Sequence, residues 1–91
     1  MFEDFEWDAD KAAANRRSHG VSFEEALTAL ADPRAIEAPD LLDPERHVTI
    51  GYSALSRMLF VVHIEVLAGR RTRIISARRA SHAQRRKYEE G

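Results

Sequence analysis

Met58-Leu59-Phe60-Val61-Val62-His63-Ile64-Glu65-Val66 is apolar at nearly every position, and Ala68-Gly69-Arg70 separates it from Arg71-Thr72-Arg73-Ile74-Ile75-Ser76-Ala77-Arg78. A short apolar run rich in β-branched residues and closed by a turn signal predicts a central strand buried on both sides. Strict alternation in the second run puts Arg73, Ile75 and Ala77 on one side of its strand, and Thr72, Ile74, Ser76 and Arg78 on the other. Upstream, Arg46 to Ser53 alternates with Val48, Ile50 and Tyr52 on one face, before the polar turn Ala54 to Arg57. Arg34 to Ala38 reads as a short edge strand, and Pro39 to Glu45, with two prolines and three acids, as a loop.

Helices flank these strands. Asp8 is placed to cap a helix over Ala9 to His19, with Gly20 as the left-handed residue that ends it. Ser22-Phe23-Glu24-Glu25 has the pattern of a capping box, Ser22 reaching forward and Glu25 back, and opens a helix that Asp32-Pro33 stops. Phe23, Ala26, Leu27 and Leu30 share its apolar face. Ser81-His82-Ala83-Gln84 repeats the signal and starts a basic helix running to about Glu90. Short links between neighbouring strands imply an antiparallel sheet of three or four meandering strands, so the expectation is one α+β domain spanning 1–91: two N-terminal helices, the sheet, a C-terminal helix. Trp7, beside Phe5, is expected to pack into the core.

Ninety-one residues build a single core, and 44% hydrophobic with 32% charged residues is the composition of a folded chain. The absence of cysteine removes disulfides and thiolate chemistry. No apolar run is long enough to span a bilayer, and Met1 to Asp10 is acidic, which predicts a cytoplasmic protein with neither a signal peptide nor a membrane segment. The net charge of −1 conceals opposed halves: four basic against twelve acidic residues in 1–45, ten against three in 46–91. One basic face for a polyanion, or mutual neutralisation of the halves, both fit that asymmetry.

Arg70, Arg71, Arg73, Arg78, Arg79, Arg85, Arg86 and Lys87 fall on two successive elements and can form one surface that grips phosphate, or a solvated face paired with the acidic half. His63 and Glu65 stand two apart on the central strand and should point the same way. RNA cleavage without a metal needs a base for the 2′-hydroxyl, donors for charge developing on phosphate, and an acid for the leaving oxygen. His63 and Glu65 can supply proton transfer beside arginines; equally, His63 can be a satisfied rim histidine and Glu65 the ion-pair partner of a neighbouring strand. His19, His47 and His82 lack metal-ligand spacing, and no Gly-rich phosphate loop or nucleophile elbow is present, so no cofactor or metal is expected.

Phe5-Glu6-Trp7-Asp8, Lys11, Asn15, His19-Gly20-Val21-Ser22-Phe23-Glu24-Glu25-Ala26, Asp32-Pro33, Glu45-Arg46, Ile50-Gly51, Arg73-Ile74-Ile75-Ser76-Ala77-Arg78-Arg79-Ala80 and Tyr88, in that order, resemble the BrnT toxin family over almost the whole chain. The resemblance implies a RelE-like α+β fold and a ribonuclease toxin of a type II toxin-antitoxin pair that cuts RNA and blocks translation. It also implies a BrnA-type antitoxin with a ribbon-helix-helix part, forming with the toxin a heterotetramer that represses the operon, operator DNA being touched only through the antitoxin. On this resemblance Arg73 and Arg78 join His63 and Glu65 as expected catalytic residues, with Arg46, Arg70, Arg71 and Arg79 as RNA contacts. Three positions depart from the family pattern: Val66 where Arg commonly follows His-x-Glu, Ser18 where Lys precedes His-Gly, and Gln84 where Glu closes the last capping box. Two other classes stay open beside the nuclease: a non-catalytic nucleic-acid-binding or regulatory protein, and a purely structural interaction domain.

Overall fold

The computed structural model describes residues 4–91. Its elements run β1 (Phe5–Glu6), α1 (Ala9–His19), α2 (Phe23–Leu30), β2 (Ile36–Pro39), β3 (Arg46–Tyr52), β4 (Met58–Val66), β5 (Arg71–Arg79) and α3 (His82–Glu90). The strands form one sheet in the order β1-β5-β4-β3-β2. The α+β class and the antiparallel meander of β2 to β5 agree with the sequence. The sheet nonetheless has five strands rather than three or four, and it is mixed, because β1 runs parallel to β5 through Phe5↔Thr72 and Glu6↔Arg73. A strand of two residues has no periodicity to read. β2 is also displaced from the expected Arg34 to Ala38, and it ends on Pro39, tolerated because β2 is an edge.

Local chemistry sets the helix ends. The Asp8 carboxylate accepts from the Asp10 and Lys11 amides, and Gly20 closes α1 at φ 68°. Ser22 Oγ accepts from the Glu25 amide, yet the expected return bond from Glu25 is replaced: its carboxylate accepts from Ser53 Oγ and from Arg57. The box at Ser81 is complete, with Gln84 Oε1 accepting from the Ser81 amide.

The main core lies between α1/α2 and one face of the sheet, where Val21, Phe23, Ala26 and Ala29 meet Leu59, Val61, Ile74 and Ala77, all fully or almost fully buried. Trp7 packs against this core, edge-on to Phe23 at 5.9 Å. Gly51 allows α2 to approach β3, since a Cβ there would run into the Ala29 carbonyl oxygen. On the other face α3 covers only part of the sheet, through a smaller cluster of Ile50, Met58 and Tyr88 with Ile36, Phe60 and Ala80. Tyr88 donates to Asp32 Oδ2 at 2.7 Å, and the Tyr52 amide donates to the same oxygen at 2.8 Å, tying α3 to the end of α2. Burial pushes the Asp32 carboxyl up, but the bonds from Tyr52, Tyr88 and Arg34 outweigh it and hold the carboxyl below its usual range.

Candidate functional site

The pairing of β4 with β5 decides which residues share a face. Phe60↔Arg78, Val61↔Ala77 and Val62↔Ser76 are in register, the next pair is His63↔Ile74, and Ile64↔Arg73 and Val66↔Arg71 follow. Ile75 is therefore an extra residue, a bulge, and alternation along β5 is reset across it. Arg71, Arg73, Ser76 and Arg78 lie on the face away from α1/α2, while Thr72, Ile74, Ala77 and Arg79 lie on the face toward them. This corrects the strict alternation read from the sequence, which put Arg73 and Arg78 on opposite sides.

Cross-strand pairing adds Arg46 to the face of Arg73, through Arg46↔Ile64↔Arg73. Its floor is Val48, Val62 and Ile64, all half-buried. Arg78 Cζ lies over the Phe60 ring at 4.8 Å, a cation–π contact between cross-strand partners. Arg71 stands directly across from Val66, the position where the family pattern places Arg. Arg70 belongs to the β4–β5 turn, its Nε 3.4 Å from the Leu67 carbonyl. Arg79 faces the other way, toward the buried Glu25.

His63 and Glu65 do share a face, as expected, but it is the face of α2. With Thr49, Glu37, Asp32 and Thr72 they line a cavity of about 280 Å³ under the end of α2. His63 is 4% exposed, its Nε2 is 2.8 Å from Thr49 Oγ1, its ring stacks on His47 at 5.9 Å, and its Nδ1 is buried without a partner. Burial pushes the imidazole pKa down, assisted by His47 and opposed by Glu37 and Glu65, so the ring is neutral at pH 7. Glu65 accepts from Thr72 Oγ1 at 3.2 Å. The sheet thus separates this pair from Arg73 and Arg78, and the expected cluster of four catalytic residues does not form.

A different acid occupies the arginine face. Glu6 Oε2 accepts from both Nε and Nη2 of Arg73 at 2.6 Å, and Glu6 Oε1 lies 3.8 Å from Arg71 Nε. Where β1 ends and β5 bulges, Glu6, Trp7, Asp8, Lys11, Arg73 and Ile75 line an open cleft of about 330 Å³. Sequence reasoning missed Glu6 because β1 is too short to announce itself; its only signal was the Phe5-Glu6-Trp7-Asp8 motif. Part of the acidic half does neutralise the basic half, through Glu6 and through Glu25, which forms a bidentate pair with Arg57. Among the described residues, no group of three or more His, Asp or Glu is placed to hold a metal ion.

The family model for the ribonuclease toxin BrnT of type II toxin-antitoxin systems matches residues 7–84. The chain belongs to that family. Membership implies an antitoxin as partner, and the family is named for ribonuclease activity. Among solved structures the chain is similar to the Brucella abortus ribonuclease toxin, BrnT, determined at 1.1 Å, with 26% identity and a TM-score of 0.67. That match covers 84% of this chain and 94% of the Brucella chain. No curated protein matches. Among the described residues, no helix of this BrnT-family chain is long and apolar enough to cross a membrane.

Proposed function

We propose that this protein is a metal-independent RNA endonuclease that arrests translation in the cytoplasm, and that its arginine-bearing sheet face receives the RNA. The observation that carries the reading, beside family membership, is the Ile75 bulge, which gathers Arg71, Arg73 and Arg78 on the face that also holds Arg46. Guanidinium forks bind phosphate in bidentate fashion and stabilise the charge that develops on it, the part a metal ion plays in other nucleases. Arg71, across from Val66, supplies the charge that the family pattern places on β4.

The antitoxin in this reading is a BrnA-like ribbon-helix-helix protein, which binds the toxin in a heterotetramer, covers the arginine face and alone touches operator DNA. Incubating the purified chain with single-stranded RNA in excess chelator tests the nuclease reading. Fragments from the wild-type chain and none from Arg73→Ala support it, whereas salt-sensitive RNA binding without cleavage supports a regulatory protein. Inhibition by chelator overturns metal independence alone.

A further inference from the structure

We propose that Glu6 is the general base of RNA cleavage, accepting the 2′-hydroxyl proton beside a phosphate gripped by Arg73 and Arg71. The inference rests on the nuclease reading above and deepens it. That reaction requires a base within hydrogen-bond reach of the 2′-oxygen next to the scissile phosphate. His63 and Glu65 are on the far side of the sheet, and His63 is buried against Thr49. Glu6 is bonded to Arg73 of β5 and lies 3.8 Å from Arg71, whereas Asp43, 3.5 Å from Arg46, is tied to β3, two strands away from β5.

Two features suit Glu6 to the role. Backbone pairing Glu6↔Arg73 fixes its Cα beside the phosphate-binding arginine, so a phosphate that displaces the carboxylate from one fork leaves it adjacent. Its side chain is 30% exposed, open to the cleft that Lys11 and Arg73 also line.

The step balances without a further reactant. Glu6 takes the 2′-hydroxyl proton, the 2′-oxygen forms a bond to phosphorus, and the bond from phosphorus to the 5′-oxygen breaks. Water protonates the departing 5′-oxygen, Glu6 releases its proton to solvent, and a 2′,3′-cyclic phosphate remains on the upstream fragment.

The test compares wild type, Glu6→Gln and Glu6→Asp in single-turnover cleavage of a single-stranded RNA, and in binding of the same RNA made uncleavable by 2′-deoxy substitution. The expected result for Glu6→Gln is a loss of about 10²–10⁴-fold in cleavage rate. Its RNA binding should be kept or tightened, with a salt dependence steeper by up to about one counterion, because one competing charge is gone. Glu6→Asp should retain part of the rate, and the acidic limb of the pH–rate profile should vanish in Glu6→Gln. Cleavage by Glu6→Gln within threefold of wild type overturns the assignment while leaving the nuclease intact. Binding lost in parallel with cleavage also overturns it, making Glu6 a prop for Arg73. A wild-type chain that binds but never cuts overturns the nuclease reading itself. Thermal melting monitors folding, and should Glu6→Gln not fold, a Glu6→Asp rate equal to wild type at every pH overturns the proposal.

Discussion

Asn15 joins α1 to β5 by reading both backbone groups of Ala77: its Nδ2 donates to the Ala77 carbonyl at 2.8 Å, and the Ala77 amide donates to its Oδ1 at 3.1 Å. The same Nδ2 donates to the Val21 carbonyl at 3.0 Å, fastening the α1–α2 link. β1 pairs with β5 only at Thr72 and Arg73, so the side chain of Asn15 continues the ladder where the parallel strand has ended. Since Ala77 lies two residues past the bulge at Ile75, this clamp also stabilises the register that brings Arg73 and Arg78 together.

Replacing Asn15 with Ala should strand three buried backbone groups. The expected cost is about 3 kcal/mol, a fall in Tm of roughly 10–20 °C for a domain of this size. A melting curve within 3 °C of wild type would remove the clamp from the account.

Glu25 is buried and held by Arg57 and Ser53, with Arg57 also donating to the Gly20 carbonyl at 3.0 Å. Arg57→Met leaves a buried carboxylate unpaired and should cost about 3–5 kcal/mol, while Glu25→Leu combined with Arg57→Met should recover much of it. The hydrogen bond from Arg57 foremost, with Ser53 and nearby Arg79, holds the Glu25 pKa below its usual value against the opposing effect of burial. A depressed carboxylate pKa means that the unfolded chain binds the proton first, so this contribution is present above about pH 4.5 and is lost as pH falls through the folded pKa. Urea titrations of wild type and double variant should converge below that pH.

The depressed pKa of His63 belongs to a base, which the fold holds neutral against protonation. Below about pH 6.5 the unfolded chain takes up a proton that the native imidazole resists, and stability decreases as pH falls from there toward the folded pKa. His63→Gln, which can keep the bond to Thr49, should flatten the dependence of Tm on pH between 5 and 7, roughly. It should also leave RNA binding intact, because the ring lies on the α2 face; an equal slope in both proteins would deny the titration.

Arg78 and Arg79 are sequence neighbours on opposite faces. Arg78→Ala should weaken RNA binding and reduce its salt slope by about one, and Arg79→Ala should change neither. Fluorescence anisotropy at several salt concentrations checks both, and an equal loss for the two variants would mean that RNA does not lie on the arginine face alone.

In the β4–β5 turn Leu67 and Ala68 hold φ values of 53° and 57°, the left-handed region, closed by the Gly69 amide donating to the Val66 carbonyl at 3.1 Å. Asn and Gly adopt that region readily, whereas most other side chains are strained in it. Leu67→Asn with Ala68→Gly should stabilise the protein by about 1 kcal/mol and raise Tm by roughly 4–8 °C. A lower Tm would contradict the turn assignment.

Elements with local signals were legible along the chain: the caps at Asp8, Ser22 and Ser81, the glycine that ends α1, the apolar strand Met58–Val66 and the α+β class. These follow from side chains bonding to backbone a few residues away and from hydrophobic period. The family was legible too, in short motifs spread along the whole chain. Which residues share a face, by contrast, is set by contacts between distant elements. Period-two counting holds until a residue is inserted, and whether Ile75 is that residue depends on β4 on one side and on β1 and Asn15 on the other, none local to it. The bulge carries Arg78 to the side of Arg73, α2 shields His63, and the two-residue strand β1 brings Glu6, 67 positions away, against Arg73. Such long-range pairing is set by the combined packing and hydrogen bonding of several elements, and leaves no periodic trace in any one of them.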